Sequence, residues 1–155
     1  MILNRQRTVR IPKRQLEDFL IRAQQALRLP AGSLSVAFLP NAEIAKWNRE
    51  YRHKDGATDV LSFPAEASPR SPGRIFHGST RRTTATNGAP VYLGDIAIAP
   101  AVARQNARRF GRTFSQEMRI LILHGMLHLM GYDHETDTGQ MERREARLRR
   151  SLGIG

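Results

Sequence analysis

One domain that mixes helices with strands is what this sequence predicts, and three observations carry the prediction. Apolar residues recur at helical spacing in five stretches. β-Branched, aromatic and alternating apolar residues mark four others. The length, 155 residues, fits one domain with a single core.

The chain, taken in order, opens with isolated apolar residues (Ile2, Leu3, Val9, Ile11) between arginines, which predict a strand over 2–11 near a sheet edge. Pro12 suits a first helical position. Leu16, Phe19, Leu20, Ala23 and Leu27 then predict an amphipathic helix over 13–28, stopped by Leu29-Pro30-Ala31-Gly32. Leu34, Val36 and Phe38 alternate with small residues, predicting a half-buried strand that ends at Pro40. Asn41 is placed to cap a helix whose stripe Ile44, Trp47 and Tyr51 reads as core, not as a cofactor box.

A polar turn, 51–56, leads to a strand over 58–63 that Pro64 ends. Residues 65–90 carry Pro, Gly, Ser, Thr and Arg with no period, and predict a long mobile loop insertion. Order returns at Val91–Ile98, a strand expected to pair with 58–63. A helix over 100–110 follows, begun by Pro100 and closed by Gly111. Thr113-Phe114-Ser115-Gln116 is a capping box that opens a helix over 114–130. A last helix spans 138–152, with Met141, Leu148 and Leu152 along one side and arginines largely opposite.

There are 25 Lys+Arg against 14 Asp+Glu, a net charge of +11, and 22 of the 25 cations are arginine. The excess is spread along the chain, and a basic domain suits a polyanionic partner. Without cysteine, disulfides, thiolate ligands and a cysteine nucleophile are excluded. The N-terminus is too charged for a signal-peptide core, and the longest apolar run, 120–130, is too short to span a bilayer. A cytoplasmic chain with no membrane partner is the expectation.

Chemistry concentrates in the stretch 120–134. His124 and His128 stand four residues apart on an apolar helix, so their imidazoles share one face. Gly131 suits a turn just past the helix end, able to bring His134 to the same point. Buried imidazoles need polar partners, which Leu and Met do not supply. Three imidazoles with a fourth position open are the pattern of a catalytic zinc site. An ion held this way acidifies a bound water to a pKa of roughly 7. The spacing matches that of metzincin proteases, but those enzymes place a glutamate base directly after the first histidine, where this chain has Gly125. The pattern reads as a hydrolase and argues against a peptidase.

Three blocks resemble the YbeY family, bacterial metal-dependent endoribonucleases of ribosomal RNA maturation. The first is Asn48-x2-Tyr51-Arg52-x-Lys54-Asp55-x2-Thr58-Asp59-Val60-Leu61-Ser62-Phe63-Pro64, and the second Leu93-Gly94-Asp95-Ile96. The third is His124-Gly125-x-Leu127-His128-Leu129-x-Gly131-Tyr132-Asp133-His134-Glu135. They come in the family's order and cover nearly the whole chain; residues 65–90 are longer and richer in arginine than the expected connection.

The resemblance implies an α+β fold, a small mixed sheet packed by helices with the metal at a cleft mouth. It implies one zinc ion per chain on His124, His128 and His134, nickel being another ion three imidazoles accept. It also implies a catalytic and RNA-binding role for Arg52, whose guanidinium is suited to clamp phosphoryl oxygens as charge develops. Asp133 or Glu135 is a candidate partner of a ligating imidazole or a proton carrier. Tyr132 reads as packing, and Asp59 and Asp95 as holding loop and strand geometry. His53 and His77 have no partner at ligand spacing.

Single-stranded ribosomal RNA is the expected substrate, and the small ribosomal subunit or its proteins the expected partners. The competing reading is a non-catalytic ribosome-assembly factor with a structural metal.

Overall fold

The computed structural model describes residues 1–65, 92–132 and 137–154. In chain order they form β1 (Ile2–Asn4), α1 (Lys13–Ala26), β2 (Leu34–Phe38), α2 (Asn41–Arg52) and β3 (Val60–Pro64). After the undescribed stretch come β4 (Gly94–Ile98), α3 (Pro100–Arg109), α4 (Phe114–Leu129) and α5 (Gln140–Ser151). The strands make one sheet in the order β1-β2-β4-β3, with β1, β2 and β4 parallel and β3 antiparallel to β4. The fold is α+β with a mixed sheet in a single small domain. The loop predicted for 65–90 lies, Ala65 apart, outside the described residues.

The pairing expected between 58–63 and 91–98 is present, with Val60 opposite Ile98 and Pro64 opposite Gly94. Alternation along the strands divides the core into two layers. Val36, Phe38, Ile96 and Ile98 join Leu16 and Phe19 of α1 and Met118, Ile122 and Met126 of α4. Ala37, Ala97, Leu61 and Phe63 face the other way, onto Ile44, Trp47 and Tyr51 of α2. Tyr51 and Phe63 stack edge to face at 5.2 Å, and Trp47 lies 5.5 Å from Tyr51, a favoured aromatic arrangement. The predicted stripe on α2 is core.

Three expectations need correction. The strand predicted over 2–11 stops at Asn4, because Gln6 folds back on its own segment. Its amide bonds Asn4 Oδ1, Val9 O and the Val9 N–H, all at 2.9 Å, building a loop from one side chain. The strand 34–38 is buried at every residue rather than half-buried, since it is an interior strand covered on both faces. Asn41 does not cap α2; Pro40 holds the extended cap position with no side-chain bond, and Asn41 is already helical.

At α4 the capping box is as predicted: Thr113 Oγ1 accepts from the Gln116 N–H, and Gln116 Oε1 accepts from the Thr113 N–H. The helix is the centre of the first layer, packed by α1, α3, α5 and the sheet. Among the described residues no helix is long and apolar enough to cross a membrane.

Asp59 holds geometry, as expected: its carboxylate accepts from the Val60 N–H at 2.8 Å and from Asn106 on α3 at 3.1 Å. Asp95 is more deeply committed. It is 1% exposed and accepts a short hydrogen bond from Tyr92, whose hydroxyl also bonds Ser35. Burial pushes its carboxyl from the ordinary 3.8 up to about 6, against the opposing pull of the Tyr92 bond. The folded protein therefore holds this proton more tightly than the unfolded chain does. The stability it contributes is complete below the unfolded pKa and lost as the pH rises through about 6. Asp95→Asn should remove that dependence. Between about pH 4 and about pH 7 its unfolding free energy should gain on the wild type by at most about 3 kcal/mol in urea titrations. A constant difference across that range would refute the buried-carboxyl account.

Candidate metal centre

Helix α4 buries nearly all of its last three turns, yet His124 and His128 stand half-exposed among them. Their spacing sets both rings on one face, and the Nε2 atoms meet at 3.0 Å with ring planes at 73°. Two imidazole nitrogens about 2.0–2.1 Å from one tetrahedral ion would lie roughly 3.3–3.4 Å apart, so the pair stands close to a chelating bite. The two nitrogens face each other across that gap.

Behind His124 stands Glu145. Its Oε1 lies 3.2 Å from His124 Nδ1, and the two side chains are 18% and 27% exposed. A carboxylate there takes the Nδ1–H, which fixes the tautomer and leaves the Nε2 lone pair facing outward. Glu145 reaches the site because α5 is anchored by Met141 and Leu148, both buried, which bracket it at helical spacing. Asp137 positions the start of α5 by accepting from the Gly139 and Met141 N–H groups at 2.8 and 2.9 Å.

Glu145 is not among the residues the sequence singles out, and the structure adds it to the site. The signal was there to read: a glutamate on the apolar stripe between Met141 and Leu148.

The helix ends as the glycine predicts. Gly131 has φ +98°, its N–H bonds His128 O, and the Tyr132 N–H bonds Leu127 O, the paired bonds of a Schellman turn. Beyond Tyr132, residues 133–136 lie outside the described residues, and with them the predicted ligand His134 and the candidates Asp133 and Glu135. Two of the three predicted ligands are thus brought together, and among the described residues no set of three metal-donor side chains occurs. What is present fits a divalent ion of the nitrogen-loving kind: two convergent imidazoles, one already oriented by a carboxylate, and no thiolate.

Gly125 follows the first ligand for a packing reason. A β-carbon there would lie 2.8 Å from Ile96 Cγ2, with two more atoms of the same side chain at 3.0 Å. The peptidase's glutamate has no space at this position. On the same turn, Ser62 of β3 donates to Gly125 O at 3.3 Å, which ties the edge strand to the helix beside His124.

Arg52 closes α2, exposed, on the face of the sheet opposite α4. Among the described residues no hydrogen bond or ion pair joins it to the histidines. Its segment runs on through His53, which is exposed and left-handed at φ 55°, to β3, the strand that Ser62 ties to α4. His53 is not part of the site, and His77 lies outside the described residues.

The family described as Endoribonuclease YbeY matches residues 1–153. A Koribacter versatilis protein named Endoribonuclease YbeY is 38% identical over 99% of this chain and 86% of its own length. A Staphylococcus aureus protein of the same name is 39% identical over 83% of this chain and 77% of its own. The fold is similar to that of a Thermotoga maritima protein solved in solution. The TM-score is 0.57 at 24% identity, over 98% of this chain and 89% of that one.

The His124–Glu145 contact makes a quantitative prediction. Glu145→Gln should weaken binding of added zinc by about 10- to 100-fold in competition with a chromophoric chelator, with the circular dichroism spectrum unchanged. Unaltered zinc affinity would show that the carboxylate does not orient the imidazole.

Proposed function

The chain belongs to the YbeY family, and on that premise we propose that it is a zinc-dependent endoribonuclease acting on single-stranded RNA in ribosomal RNA maturation and quality control. The observation that carries the reading is the convergence of His124 and His128 Nε2 in front of Glu145. In this reading His134 completes the ligand set. Zinc held there would supply Lewis acidity to a phosphoryl oxygen or hold the attacking hydroxide.

The chain's own groups do the rest. Glu145 accepts a hydrogen bond from the Nδ1–H of His124, which keeps Nε2 a lone-pair donor. Arg52, exposed at the end of α2, would pair two phosphoryl oxygens as negative charge grows on them. A planar guanidinium makes that bidentate contact where a lysine would not. Peptide hydrolysis is disfavoured because Ile96 occupies the space a base on residue 125 would need.

The net charge of +11 supports a polyanionic substrate, and by extension a working place on or near the small ribosomal subunit in the cytoplasm.

Cleavage of a labelled single-stranded precursor of ribosomal RNA should stop with a chelator and return with zinc. Casein in the same tube should stay intact. His128→Ala should bind no stoichiometric zinc by elemental analysis and cleave nothing while remaining folded; global unfolding of this variant would favour a structural metal instead. Arg52→Ala should keep its zinc and lose about 100- to 1000-fold in cleavage rate. An Arg52→Ala enzyme with wild-type rate would remove that residue from the mechanism.

A further inference from the structure

At the far end of α4 from the histidines stands a cluster that the reaction above does not use. Phe110, just past α3, is 55% exposed; the other exposed large apolar side chains among the described residues, Met1 and Ile21, are aliphatic. The guanidinium carbons of Arg109 and Arg112 lie 5.5 and 5.3 Å from its ring centroid. Arg112 is pinned: its Nη1 donates to Glu117 Oε1 at 2.8 Å, and Glu117 is 3% exposed. A buried carboxylate therefore fixes one guanidinium beside an open ring. Gly111, at φ +66°, makes the turn between them.

The surroundings carry one sign of charge. From Pro100 to Gln116 the chain holds Arg104, Arg108, Arg109 and Arg112 and no acidic residue. Arg104, Arg108 and Arg109 are exposed. An accessible ring with guanidinium groups over it and exposed Arg104, Arg108 and Arg109 on the same segment suits an unpaired base and its flanking phosphates. An acidic protein segment would use the charges and leave the ring idle.

The cluster is also aligned with the histidines. Glu117 precedes His124 by two turns on the same stripe of α4, roughly 10 Å along the axis, and Arg112 links it to Phe110.

We propose that Phe110, with Arg109 and Arg112, is a stacking platform for single-stranded RNA, a subsite holding the strand at a distance from the metal centre. The platform rests on the RNA-cleaving reading and adds to it where the strand is gripped. A span of about 10–20 Å along the helix corresponds to roughly three to six stacked nucleotides. Short oligonucleotides at the metal centre do not reach the platform; longer ones do.

The test is fluorescence anisotropy with oligouridylate of two lengths, a trimer and a dodecamer, each checked on a gel for integrity after titration. Phe110→Ala should weaken dodecamer binding about tenfold and leave the trimer unchanged. Phe110→Trp should keep dodecamer affinity, and Arg109→Ala should lower the salt slope by about one. Because the ring is largely exposed, Phe110→Ala should melt with the wild type.

Unchanged dodecamer affinity in Phe110→Ala, or an equal loss for the trimer, would overturn the platform. So would unchanged RNA affinity with weakened retention of polyglutamate, which would assign the patch to an acidic protein. A wild type that binds the dodecamer through Phe110 yet cleaves no RNA would sink the nuclease reading alone and support the platform.

Discussion

Helix α4 lies so close to β4 that Gly125 has no room for a side chain against Ile96, and most of the structure follows from that approach. A helix seated this deep is wrapped by α1, α3 and α5 and loses water from almost its whole circumference. It can then hold two imidazoles in one orientation, since neither the backbone beneath them nor the neighbouring turns can shift without disturbing the core. The same closeness removes the position from which a peptidase would supply a base. The fixed orientation of the two imidazoles and the lack of room for a side chain at residue 125 thus share one cause.

Three carboxylates drawn into or against this interior each meet a specific partner. Glu117 is buried against Arg112, Asp95 against Tyr92, and His124 against Glu145. An unpaired carboxylate in such surroundings would cost several times what its bond contributes. These pairs do more for uniqueness of arrangement than for net stability. Arg112 shows the benefit: its ion pair fixes a side chain that would otherwise sweep the surface.

Much of the fold could be read from the residues because local and long-range signals agreed. The capping box at Thr113, the i, i+4 histidines and the glycine turn at Gly131 are short-range patterns with one physical solution each, and each is found. Strand β1 was overextended because apolar residues between arginines resemble a strand, while the single glutamine that ends it carries no periodic signature. The full burial of β2 was missed for another reason: alternating small residues look half-solvated until a helix such as α2 is known to lie on them. Glu145 escaped notice amid a run of arginines, where a carboxylate is expected merely to balance charge. Its helix docks on a segment 21 residues away, and the contact shows locally only in the glutamate's place between Met141 and Leu148.

The borders of the sheet also matter to a cell that must keep this chain dispersed. At one margin β1 is only three residues long and gives way to Arg5, which is paired with Glu43. At the other, β3 terminates in Pro64, which has no amide hydrogen to offer. Neither flank presents a long, flat row of free backbone groups to a second copy. A chain whose middle strands are buried along their whole length is thereby shielded from recruiting its own kind into fibrils.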